Sequence, residues 1–114
     1  MRYAKVTQGR VFVLALDHGE IVHEAIERFA AAKKIRAAAL ILLGGADRGS
    51  RLVAGPADGD ARPVASLEVV LDDVREIAGT GTLFPDERGA PILHLHAACG
   101  RGGETITGCV RRGV

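Results

Sequence analysis

At 114 residues, 47% hydrophobic and 25% charged, the chain is composed for one folded domain rather than a disordered tail or a pair of domains. Fifteen basic against fourteen acidic residues leave a formal charge of +1, which argues against a lone duplex-DNA binder, because phosphate contacts call for a basic surplus. Four aromatic residues and no tryptophan make a poor stacking platform for single-stranded nucleic acid.

The opening MRYAKVTQGR has no signal-peptide core. Arg10 to Leu16, RVFVLAL, reads as a strand rich in β-branched and bulky residues. In the next stretch Ile21, Val22, Ala25, Ile26, Phe29 and Ala30 fall on one stripe, which predicts an amphipathic helix from Glu20 to about Lys34. Asp17, three residues before Glu20, is placed as the cap. RAAALILLGGA is too apolar to face water and reads as a buried strand ending at Gly44-Gly45. GSRLVAGP and ARPVASLEVVL form a hairpin around Asp58-Gly59. DVREIAGTGTLF is a further strand, whose Gly79 and Gly81 share a face and leave room for close packing. PDERG then turns the chain into PILHLHAACG, and GRGGE turns it again into TITGCV.

One long helix and about seven strands, many joined as hairpins, predict an α+β fold with a mostly antiparallel sheet and the helix packed on it. Ending on Val114 directly after a strand predicts an exposed edge, and hence a symmetric oligomer. No apolar run approaches the ~20 residues that cross a bilayer. Two cysteines, Cys99 and Cys109, without an export signal point to reduced thiols in a cytoplasm.

His94 and His96 alternate with Leu93, Leu95 and Ala97, so on a strand both imidazoles share one face. With Arg101 and Gly102 as the central turn residues, Cys109 stands opposite His94 and Thr107 opposite His96. A His2Cys set of His94, His96 and Cys109 suits zinc with a fourth position open. The competing reading has both histidines on the solvent side of an ordinary strand and Cys109 as a small core residue. Cys99 has the wrong parity for the set and is read as core. A Cys-His dyad from Cys109 and His94 is geometrically possible and fits less well than a ligand set.

Asp17, His18, Glu20 and His23 gather where a strand enters the helix, and structural capping accounts for them better than anion binding. His23 is assigned to the polar side of the helix. GTGT has no helix after it and is not a dinucleotide fingerprint, and no Ser-His-Asp set is visible. Arg101, Arg111 and Arg112 form a small basic patch that a symmetry axis would multiply into a ring.

The segments GRVFVLALDHGEIVHEAIERFAAAKKIRAAAL, DVREIAGTGTLFPDERGAPILHLHAACGR and ITGCV together resemble the PPC domain, the plant and prokaryote conserved domain, from about Gly9 to Val110. The most specific parts are DHGE, GTGTLFPD and HLH before a Gly-rich turn. In plants this domain accompanies AT-hooks in nuclear proteins; in bacteria and archaea it stands alone. The resemblance implies an α+β fold, a homotrimer and a predicted DNA-binding protein. Bacterial members place a Gly-Gly-His after the His-x-His, and the three histidines can hold zinc; here Cys109, after Gly108, takes the third place. In plant members the segment matching VREIAG resembles a partner-contacting strand with a Gly-Arg-Phe-Glu-Ile-Leu pattern, of which only Arg75, Glu76 and Ile77 match here. There is no Arg-Gly-Arg-Pro minor-groove element, and the sequence stops where relatives continue for one or two strands, an edge that the trimer is expected to cover.

The sequence is thus read as a stand-alone bacterial-type PPC-domain protein, cytoplasmic and trimeric, binding a zinc-type ion at His94, His96 and Cys109. Its expected role is DNA-associated or regulatory, with DNA or a DNA-binding protein as partner. The competing reading is a metal-dependent enzyme or small-molecule binder, with Glu20 or Glu76 as general base if either lies near the ion. A scaffold that docks a partner on a strand edge is the third.

Overall fold

The computed structural model describes all residues, Met1–Val114, and has the expected α+β architecture. One helix, α1 (Val22–Ala32), is followed by six strands: β1 (Ala38–Ala46), β2 (Arg51–Pro56), β3 (Ser66–Val70), β4 (Arg75–Pro85), β5 (Pro91–Arg101) and β6 (Glu104–Val110). They form a single antiparallel sheet in the order β1-β4-β5-β6-β2-β3. None of the helices is long and apolar enough to cross a membrane.

The helix lies against β5, because its apolar stripe and the inward residues of the sheet need one another. Ile26 and Ala30 pack into a core with Leu83, Leu93, Leu95, Ala97 and Cys99. Glu27 Oε1 adds a polar tie, accepting the Leu93 amide at 2.7 Å. The helix begins one turn's fraction later than its stripe suggests. Asp17 does not cap it: the Ile21 N-cap has no side-chain bond, and the Val22 amide is instead taken by the Val114 carbonyl. Asp17 and Glu20 close a separate turn ahead of the helix, with the Glu20 amide donating to the Asp17 carbonyl and the Asp17 amide to Glu20 Oε2. His23 is half-buried rather than on the polar side, and its Nδ1 is buried without a partner.

Seven strands become six because Arg10–Leu16 pairs with nothing. None of the 53 backbone hydrogen bonds involves residues 1–16. The segment is held by side chains alone: the Phe12 ring meets Phe29 edge-on at 5.2 Å between centroids, and Arg10 Nη2 donates to the Lys33 carbonyl at 2.9 Å. The edges of the sheet are therefore β1 and β3. The last strand, β6, is internal, contrary to the edge expected at the C-terminus.

The β2–β3 hairpin forms as expected, with a register irregularity between Val53 and Pro56. It joins the rest of the sheet through a short seam, Leu52 opposite Val110 and Val53 opposite Cys109. Gly108 lets the two strands approach, since a Cβ there would lie 2.8 Å from the Val53 carbonyl oxygen. Gly79 and Gly81 do the same between β4 and β5: a Cβ on Gly81 would lie 2.6 Å from the His94 carbonyl oxygen. The room left by these glycines is thus filled by the strand that carries the histidines.

Candidate metal centre

Parity along β5 sets the site. Leu93, Leu95, Ala97 and Cys99 turn toward the helix and are buried, while His94 and His96 turn to the opposite, open face. Across β4, Thr82 stands opposite His94 and Thr80 opposite His96. On the other side Cys109 of β6 stands opposite His96, not His94. The turn explains this shift. Gly102 and Gly103 both adopt positive φ, 60° and 87°, so they occupy the two centre positions in place of Arg101 and Gly102. A two-residue hairpin turn of that hand needs positive φ at both positions, and two glycines supply it without strain where an arginine would not. The register moves by two residues, so every side chain keeps its face. Cys109 still converges on the histidines.

The ligand atoms are close. His94 Nε2 and His96 Nε2 are 3.1 Å apart, with ring centroids at 4.9 Å and planes 69° apart. The candidate donor atoms of His94, His96 and Cys109 all lie within 4.8 Å of one another. Two nitrogens on a tetrahedral zinc, each at about 2.05 Å, are separated by roughly 3.3 Å. The histidine pair already has that spacing. A thiolate at about 2.3 Å would sit roughly 3.6 Å from each nitrogen, so the set needs only a small closure around the ion. Two imidazoles with facing nitrogens also form a plain hydrogen bond when one is the donor tautomer; what singles out this pair is the thiol beside it. The donor types fit a zinc-type ion, and the set is open to solvent on one side: His94 and His96 are exposed and Cys109 is half-buried.

Cys99 is the contrast. It is fully buried on the inner face, and burial pushes its thiol pKa up, opposed by the positive charge of Arg75. Its assignment to the core stands.

Other singled-out residues lie away from the cluster. Glu20 is engaged by Arg28 at 2.7 Å and by the Asp17 amide. Glu76 shares the histidine face but pairs with Gly100, four residues along from His96 and therefore roughly 13 Å away. Neither lines the cavities that the histidines border, so neither is placed as a general base. The suggested partner-contacting triplet is largely inward: Arg75 and Ile77 are buried, with Arg75 Nε on Asp73 at 2.6 Å. Of the basic patch, Arg101 reaches Asp73 and Arg112 reaches Glu68, whereas Arg111 donates to the Leu93 carbonyl and borders the metal cluster. Sequence reasoning missed Arg111 as part of the site. Its signal was parity, because residues 109 and 111 share a face on an extended chain.

The sequence profile of the Plants and Prokaryotes Conserved (PCC) domain matches residues 3–114. The chain belongs to the PCC domain family. Among solved structures, this PCC domain is similar to the crystal structure of a metal-containing protein from Archaeoglobus fulgidus, with a TM-score of 0.82 and 26% identity. The match covers 97% of this chain and 76% of the archaeal one. No curated protein matches the sequence significantly.

Proposed function

We propose that this PCC-domain protein is a metal-binding protein that holds a zinc-type divalent ion on His94, His96 and Cys109. One observation carries the reading: two imidazole nitrogens 3.1 Å apart with a thiol in the same small cluster, on the open face of an otherwise ordinary sheet. The kinship to a metal-containing archaeal protein supports it. Bound there, such an ion supplies Lewis acidity at an open position. The strands do the rest: β5 presents both rings on one face, and the Gly102-Gly103 turn brings the thiol back beside them. A reducing cytoplasm keeps Cys109 available as a ligand.

Elemental analysis of the purified protein, beside His94→Ala and Cys109→Ser, tests the assignment. Near-stoichiometric zinc is expected in the wild type, with affinity falling more than about a hundredfold when a ligand is removed. An unchanged metal content in both variants overturns the site.

The protein is further proposed to work as a homotrimer. The unpaired, apolar Arg10–Leu16 segment and the free edge of β1 support self-association, since extended backbone without partners is a ready template for another chain. Light scattering on the eluted protein reads the subunit number directly. Association with DNA, or with a DNA-binding partner, is a second proposal that rests on the resemblance. The formal charge of +1 and the ion pairs made by Arg51, Arg75, Arg101 and Arg112 limit the cationic surface of one protomer. Retention on heparin at low salt, lost steeply as salt rises, is the expected sign; passage through at about 50 mM salt removes it.

A further inference from the structure

We propose that the open side of the metal cluster binds the carboxylate of a small organic acid, with Arg111 as the second anchor and an apolar wall for the body of the acid. The inference rests on the metal reading above and names its ligand.

His94 and Cys109 border a cavity of about 420 Å³ whose other walls include Arg111, Phe84, Pro85 and Ile92. Pockets that hold small organic molecules run from about 300 to 1,000 Å³, so this one suits a small ligand. The charges favour an anion. A divalent ion with one thiolate and two neutral imidazoles keeps a single positive charge, and Arg111 adds another. The opposing charge on the rim is Asp86, whose Oδ1 already accepts the Arg88 and Ala90 amides of the β4–β5 turn.

Arg111 is also held in place. Its Nη2 donates to the carbonyl of Leu93, the residue before His94, which ties the guanidinium to the strand that carries the histidines. A guanidinium has five N–H donors in a planar fork, so that bond leaves others for a carboxylate, which it matches in geometry. The apolar wall separates an organic acid from an inorganic anion. Phe84 is 56% exposed, an aromatic surface that the fold leaves in water beside a cationic site. A phosphate or acetate would leave this ring uncovered, whereas an aryl or branched alkyl carboxylate would bury it.

Cobalt(II)-loaded protein reports on both parts, because its visible bands change with the ligand at the open position. The expected result is a saturable spectral change with benzoate, at lower concentration than with acetate. Arg111→Gln should weaken benzoate about tenfold or more, with Arg111→Lys recovering part of the loss. Phe84→Ala should bring benzoate down to the level of acetate and leave acetate unchanged. An unchanged spectrum with benzoate overturns the acid site while the metal reading stands, and so does wild-type benzoate affinity in a folded Arg111→Gln protein. Failure of the wild type to take up cobalt overturns both.

Discussion

RVFVLAL at the front of the chain and PILHLHA near its end have much the same composition, yet they fare differently. The first makes no backbone hydrogen bond, and Val13 is 97% exposed. The second belongs to a central strand, paired with β4 throughout and with β6 from His96 onward, with Leu93 and Leu95 fully buried. Strand propensity describes how well a residue suits a pleated, half-buried surface. It does not supply the neighbouring edge that makes a strand. β5 has that edge twice over; Arg10–Leu16 lies beside the β1 edge across a cavity of about 1060 Å³ and touches the body through Phe12 and Arg10.

Substitutions can break this contrast by showing equal effects in the two regions, or sharpen it by showing a steep gradient. The largest loss is expected for Leu95→Ala, about 2–5 kcal/mol, because a fully buried side chain is removed beneath the histidines. Urea unfolding checks it. Gly81→Ala should cost about 1–3 kcal/mol, since the new methyl meets the His94 carbonyl and must push β4 and β5 apart. It should also weaken metal uptake, the measurement that separates a displaced site from simple loss of stability. Gly103→Ala forces a side chain into φ near 87° and should cost roughly 1–2 kcal/mol by the same unfolding measurement, with the register preserved. Phe12→Ala should cost under about 1.5 kcal/mol, because it gives up one edge-on ring contact at a residue 42% exposed. Its metal content should be unchanged. Hydrogen exchange completes the comparison: amides of residues 1–16 should exchange near the free-chain rate in a monomer, with β5 far slower, and protection of the former would mean that another chain covers them.

Much of the fold was legible because alternation and periodicity are local. The helix stripe, the β2–β3 hairpin and the inward and outward faces of β5 follow from residues a few positions apart. The histidine face and the convergence of Cys109 depend only on parity, and parity survived an error of two in the register. The error itself came from turn chemistry. CGRGGET offers more than one two-residue turn, and only Gly102-Gly103 satisfies positive φ at both centres. Less local features were not legible. The capping of Val22 by Val114 joins positions far apart in sequence, and so does the tie from Glu27 to Leu93. The exclusion of Glu20 and Glu76 from the cluster depends on sheet order, which no single segment encodes.

The narrow seam between β2 and β6 has a consequence for how the centre behaves. His94 and His96 ride on the central strand β5, but Cys109 sits where the β2–β3 flap joins β6 through two residue pairs, helped by the Arg51 amide on the Gly113 carbonyl and Arg112 on Glu68. An ion gripped from both strands acts as a rivet through β5 and β6, steadying the strand from which the flap hangs. Loading and stripping the ion should then be felt first along β6, and at the flap only through the hinge that β6 offers it.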